Sequence, residues 1–343
     1  MIGNPPYGAK TKDTEKVLYK QYYEAAISIK GLQKGSTDTF TIFVNQGFHL
    51  LCKNGVLSFI VPMAVTSSDS MTALHNLLEK NCETMKISSY SNRPKQIFDA
   101  ACIRTSIIMF QKTFTSCKHV YTSKLVRRSE NASIQYLISN LKFVDSYKYK
   151  LSGRYAKIGT EQELQILSKI FATGKKIEDY KTEKGNAFYY RAAGGRYFNV
   201  VTNYPTKSSA EKSVVCKYND VIGLILSSSL FWFYQQVYTD GLNLKSYEID
   251  KFPLPNIEKI KNIEELKKIY EQYLQDIENN AIIQKSSGKS TYNISSFKVY
   301  RLRKSKAIID CIDDLICPLY GLTKEETEFI KNYETEYRSS DEE

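Results

Sequence analysis

The 343-residue sequence holds one tryptophan and three histidines, and no uninterrupted apolar stretch approaches the ~20 residues that a membrane-spanning helix needs. The densest apolar run, from Val221 to Tyr238, is broken by Ser227-Ser228-Ser229 and then by Gln235-Gln236. His49, His75 and His119 are scattered, with no metal-ligand spacing, so a zinc site is not expected. Seven cysteines are an odd number without framework spacing, which argues for free thiols in a reducing compartment rather than a disulfide scaffold. Only Ile2 and Gly3 separate Met1 from the first motif, leaving no space for a signal peptide, and a cytoplasmic protein is expected. Gly288-Lys289-Ser290 is shaped like the end of a phosphate-binding loop, but Ile283 stands where that loop's first glycine belongs and no strand precedes it, so a polar linker is expected.

Acidic residues are the scarcer sign of charge. The formal net charge is +11, and the segment from Leu322 to Glu343 has three basic against eight acidic residues, so it carries −5 and the remainder +16. Such a surplus favours a polyanionic partner and a salt-sensitive encounter.

What is present begins at Asn4-Pro5-Pro6-Tyr7. The nitrogen of an aniline-like amine is a poor nucleophile, because its lone pair is delocalised into the ring. The Asn4 side-chain carbonyl and the backbone carbonyl between the two prolines can each accept one N–H, turning the lone pair towards an electrophilic methyl group. Pro5 and Pro6 stiffen the turn and remove competing donors, and Tyr7 offers a flat face for a ring. The same four residues are also ordinary turn punctuation, so their company decides between the two readings.

That company is α/β. Phe40, Val44, Phe48 and Leu51 recur at helical spacing, Gly55 closes the turn, and Val56 to Pro62 reads as a buried strand. A helix follows over 72–79, a short strand over 87–90, and a β-rich run from Ile103 to Phe110 after Ile97-Phe98 and a small-residue turn.

In order and spacing, Asn4 to Tyr7, Gly55 to Pro62, and Ile97-Phe98 with Thr105 to Ile108 resemble the successive motifs of adenine-specific DNA methyltransferases. The likeness is to the TaqI-type enzymes and the methylase half of type IIG restriction–modification proteins. It implies S-adenosylmethionine as methyl donor and double-stranded DNA as partner. It also implies that the Asn-Pro-Pro-Tyr loop holds an extruded adenine, with Tyr7 and Phe98 stacking on its two faces. On its own, Phe98 beside a strand would read as core.

Further along, Lys118, Lys124, Arg127 and Arg128, then Lys142, Lys148, Lys150 and Arg154, form a basic stretch that fits either a solvated face or contact with nucleic acid. Phe188-Tyr189-Tyr190-Arg191 and Gly194-Gly195-Arg196-Tyr197-Phe198 set guanidinium and aromatic groups around a double glycine. That pattern suits a DNA-reading loop or a plain hairpin, and it makes Arg127, Arg128, Arg191 and Arg196 the candidate DNA contacts. The run from Val221 reads as a buried helix carrying Trp232, with a Pro-bounded strand ending at Pro255. Stripes Leu266, Ile269, Tyr273, Ile277 and Ile308, Ile309, Ile312, Leu315, Ile316 give two closing helices. Gly321 stops one helix, and Thr323 with Glu326 caps the next. The stretch around Ser228-Ser229-Leu230-Phe231 and Phe252-Pro253-Leu254-Pro255 resembles the target-recognition region of the same methylases, and the tail resembles their C-terminus.

The expected organisation is a partial methyltransferase domain over 1–114, a mixed α+β target-recognition domain over 115–258 and a helical segment over 259–343. In the family, the strands and the glycine-rich turn that bind S-adenosylmethionine come before the Asn-Pro-Pro-Tyr loop, and here only three residues do. The expectation is therefore a truncated or split methylase, inactive alone, whose sheet lacks its first strands and whose cofactor motif is either supplied by a second chain or lost in a remnant, with no DNA cleavage activity. Two alternatives stand beside it: a non-catalytic DNA-specificity subunit, and methylation of a protein glutamine amide.

Overall fold

The computed structural model describes residues 1–8, 11–98, 101–193, 200–206, 208–285 and 296–338. Its contacts divide the chain into two compact units, residues 1–165 with 236–240, and 166–235 with 241–343.

The first unit is built on a six-stranded mixed sheet. Its strands are β1 (Ile2–Gly3), β2 (Val56–Pro62), β3 (Thr84–Tyr90), β4 (Thr105–Gln111), β5 (His119–Val126) and β6 (Val144–Asp145), in the spatial order β1-β2-β4-β3-β5-β6. Strand β1 runs parallel to β2, and β3 parallel to β5, while β4 lies antiparallel between β2 and β3. Around the sheet run helices α1 (Asp13–Tyr22), α2 (Thr39–Leu50), α3 (Ala64–Ser67), α4 (Thr72–Asn81) and α5 (Ile134–Ser139). The sheet takes in residues beyond 114, because β5 pairs with β3 along its length.

The period-two alternation in β2 puts Leu57, Phe59 and Val61 on the face covered by α2 and α4. There they join Phe40, Val44, Leu74 and Leu78 in one apolar core. Gly47 allows α2 to lie close, since a Cβ there would come within 2.5 Å of Leu57. The end of α2 is held by the buried Lys112, whose Nζ donates to the carbonyls of Phe48 and Leu51, each at 2.9 Å. That places a cation where helix dipole and free carbonyls both favour one.

The opposite face is less covered. Pairing sets Ile2, Ser58, Met109, Lys86 and Tyr121 in one row across five strands. Ile2 is 90% exposed, Met109 41% and Tyr121 36%. The outer edge of β1 has no strand partner among the described residues.

Helix α6 (Glu161–Phe171) leads into the second unit, which holds small sheets and a helical layer. Here β7 (Lys175–Lys176) pairs with a later strand, and β8 (Ala187–Arg191), β9 (Val201–Thr202) and β10 (Glu211–Val215) form a three-stranded sheet. The apolar run expected as one helix is two, α7 (Asn219–Leu226) and α8 (Ser229–Tyr238). The serines cause the break: Ser227 and Ser228 turn their hydroxyls onto the carbonyls of Gly223 and Ile225, at 2.8 and 2.6 Å, and the Ser228 hydroxyl then accepts the Phe231 N–H.

Short helix α9 (Ser246–Asp250) precedes β11 (Pro253–Leu254), which pairs with β7. Then come α10 (Ile263–Asn279), the hairpin β12 (Ile282–Lys285) and β13 (Ser296–Val299), and helices α11 (Lys306–Ile316), α12 (Lys324–Asn332) and α13 (Thr335–Arg338). Of the expected α10 stripe, Leu266, Tyr273 and Ile277 are buried, joined by Tyr270, whereas Ile269 is only partly covered. Gly321 adopts φ 75° after α11, and Thr323 and Glu326 form the reciprocal cap of α12. The Gly288-Lys289-Ser290 linker lies outside the described residues. No helix among the described residues is long and apolar enough to cross a membrane.

Candidate functional site

Sheet register brings the sequence candidates of the first unit to one edge. Asn4 to Tyr7 leave the carboxyl end of β1, beside the carboxyl end of β2. Pro62 pairs with Thr105, Thr105 with Tyr90, and Tyr90 with Val126. The turn 4–7, residues 91–98 and 101–104 with Phe98 among them, and Arg127-Arg128 therefore all emerge from the same side. In sheets of this kind that is the ligand side, because the loops that leave the strand ends diverge there.

Within the turn, Pro5 is buried, Asn4 and Pro6 are exposed, and Tyr7 is partly buried against the apolar core. Burial pushes the Tyr7 phenol above its usual range. Gly3 fits beneath the Phe59 ring, which would sit 3.1 Å from an added Cβ, so the strand leading into the turn lies flat on its neighbour.

The 91–104 loop is tied down at both ends. Ser91 N–H donates to Val126 O at 2.8 Å, Lys95 N–H to Arg128 O at 3.0 Å, and Met63 N–H to Arg104 O at 2.9 Å. Arg128 donates to Gln96 O at 3.1 Å and to Ala132 O at 3.0 Å, and Arg127 donates to Gln236 Oε1 at 2.9 Å and Ser91 Oγ at 3.4 Å. Both arginines, read from the sequence as DNA contacts, are thus engaged in shaping this loop. Phe98 is half-buried near the tip, forming a bridge with Ala101.

Sequence reasoning passed over Asn92, Arg93 and Arg104, which the loop gathers together. Arg104 Nε donates to Asn92 Oδ1 at 3.0 Å. Burial pulls the Arg104 guanidinium down to about 10; Asp240 pushes back, and Arg127 and Arg93 add to the fall. The available signal was position: an arginine immediately before a buried strand, and another three residues after one.

Arg191 ends β8, exposed and facing Glu211 in the antiparallel pair. It belongs to the second unit, and Arg196 and the double glycine lie outside the described residues. Several members of the basic stretch have acidic partners, Lys118 with Glu83 and Lys150 with Glu79, each at 2.6 Å, and Arg154 with Asp69 at 3.4 Å. Among the described residues no cluster of His, Cys, Asp or Glu could hold a metal ion.

The described residues do not by themselves enclose S-adenosylmethionine. The strand that bears the Asn4–Tyr7 turn is the outermost of the sheet among the described residues, and Met1 and Ile2 along it are exposed.

The mixed α/β fold is similar to that of a solved restriction–modification enzyme. Residues 1–98 match the family model described as Eco57I restriction-modification methylase. Among solved structures, the Type IIL restriction-modification enzyme MmeI in complex with DNA is similar over 98% of this chain and 56% of its own, at TM-score 0.53 and 10% identity. The ATP-dependent Type ISP restriction-modification enzyme LlaBIII bound to DNA matches 98% of this chain and 37% of its own, at TM-score 0.42 and 11% identity. The type IIG restriction endonuclease BpuSI matches 96% and 53%, at 0.33 and 10%. The chain thus spans between about a third and just over half of the length of these proteins. No curated protein matches it in sequence.

Proposed function

We propose that this chain carries the amine-binding turn and the DNA-reading part of an adenine-specific DNA methyltransferase of a restriction–modification system, with S-adenosylmethionine as donor. The observation that carries the reading is that the Asn4–Tyr7 turn and the Phe98 loop leave the same sheet edge, in residues matched to the methylase family. The likeness to MmeI, solved with DNA, supports the choice of substrate.

In this reading an extruded adenine lies between Tyr7 and Phe98. Asn4 Oδ1 and the Pro5 carbonyl accept the two N–H bonds of its amine, which turns the nitrogen lone pair out of the ring plane. Extrusion costs a few kcal/mol, which stacking and the amine's hydrogen bonds offset. S-adenosylmethionine supplies the electrophilic methyl group when bound. This chain's residues hold and orient the acceptor and keep water from it.

The open β1 edge and the row Ile2, Met109, Tyr121 support a second element of the proposal, that further polypeptide pairs with β1 and covers that face, completing the donor's pocket. The same openness favours the runner-up reading, a DNA-specificity module whose catalytic turn is idle.

One experiment separates them. Single-molecule sequencing of host DNA is expected to show methyladenine at a fixed motif with the wild-type gene, and none with Asn4→Ala or Tyr7→Ala at the same locus. Unchanged methylation in both variants would overturn the catalytic reading. Micromolar S-adenosylmethionine binding by the isolated chain, read by titration calorimetry, would overturn the requirement for added polypeptide.

A further inference from the structure

The terminal nitrogens Arg93 Nη1 and Arg104 Nη1 are both buried without a hydrogen-bond partner, on the edge from which the Asn4–Tyr7 turn emerges. An orphaned buried donor is destabilising, more so when charged, so two such donors on one loop call for an acceptor. The guanidinium groups of Arg93 and Arg127 act on that of Arg104, with Asp240 as its acidic neighbour, and the three cations outnumber the one anion. Arg127 already donates to Ser91 and Gln236, and Arg104 Nε to Asn92, so the side chains are held in place while the two Nη1 donors remain.

The complement of paired, fixed guanidinium forks is an anion with two equivalent oxygens. A base cannot leave a duplex unless the backbone beside it is rotated and held. We infer that Arg93 and Arg104 form a phosphodiester subsite that grips the DNA backbone next to the extruded nucleotide, oriented by Asn92 and Ser91 and balanced by Asp240. This rests on the reading of the chain as a DNA-binding methylase part. The cluster's place on the loop between β3 and β4 links grip and base: the loop that presents Phe98 to the base also carries the phosphate's ligands.

The test uses the full chain and a fluorescein-labelled duplex of random sequence, with binding followed by anisotropy across a potassium chloride series. Wild type, Arg93→Gln, Arg104→Gln and Lys53→Gln are compared, Lys53 lying in the turn that enters β2 at the opposite edge. Each arginine variant is expected to weaken binding and to flatten the log–log salt slope by about 0.9, the loss of one phosphate contact. Lys53→Gln is expected to change neither. Melting temperatures of the two glutamine variants should hold or rise, because a desolvated donor is removed, whereas a structural role would lower them.

Wild-type binding with unaltered slopes in both variants overturns the subsite and leaves the DNA reading intact. Absence of DNA binding by the wild type overturns that reading and the subsite with it. If the glutamine variants unfold, Arg93→Lys and Arg104→Lys decide: weaker binding at an unchanged slope supports paired contacts, and unchanged binding overturns them.

Discussion

At the residue scale, two buried groups show what the fold demands of single side chains. Lys112 caps the end of α2 by donating to the Phe48 and Leu51 carbonyls, so Lys112→Met should destabilise the chain by about 2 to 3 kcal/mol, read as a lower urea midpoint. A loss under half a kcal/mol, ~0.5, would mean that water replaces the ammonium. His75 is buried against Tyr155, with Nε2 2.8 Å from Val65 O, and burial, then the Lys150 charge, pulls it down to about 3 against the carbonyl's opposing effect. The folded state therefore binds fewer protons than the unfolded state between about pH 3 and pH 6.5, and stability falls as pH drops through that window. Urea midpoints at pH 7 and pH 5 should differ in the wild type and converge in His75→Gln; equal pH dependence in both would refute the assignment. Neither role was legible in the sequence, where Lys112 is one more basic residue at a strand end and His75 a lone histidine in a helix. A residue's place in the core is fixed by partners about sixty and ten positions away, through pairing that no local pattern encodes.

Elements were easier to foresee where periodicity was strong. The helix at 39–50, the strand at 56–62 and the Thr323–Glu326 cap all follow from spacing alone. By sequence the α7–α8 run reads as continuous because its apolar count outweighs three serines, yet hydroxyls bonding back to carbonyls divide it. Close approach was invisible for the same reason. Gly223 on α7 meets α10 so tightly that an added Cβ would lie 2.4 Å from the Tyr270 hydroxyl. Gly223→Ala should thus cost roughly 1 to 3 kcal/mol, and Tyr270→Phe in the same chain should recover part of it. Additive melting-temperature losses in the double variant would argue against the contact. Of the candidate site, the Asn4–Tyr7 turn could be read directly because its chemistry is local. The arginine cluster could not, since it exists only once β3, β4 and β5 align their ends.

For the whole molecule, the uncovered side of the first sheet has a physical consequence. An open strand edge with Ile2 90% exposed favours pairing with any available strand, and the isolated chain should self-associate with rising concentration. Ile2→Lys combined with Met109→Lys should shift sedimentation velocity profiles towards monomer, and unchanged profiles would place the contact elsewhere. The net charge of +11 favours a polyanionic partner at long range.

The excursion of residues 236–240 into the first unit bears on how this protein can be divided. Lys157, almost wholly inaccessible, donates to the carbonyls of Val237 and Thr239 at 2.7 and 3.0 Å. A gene cut after codon 165 would withhold two of that ammonium's acceptors, and its product should be recovered in inclusion bodies. Supplying the later peptide by co-expression, or splicing it in behind a short flexible tether, should return the piece to the soluble fraction.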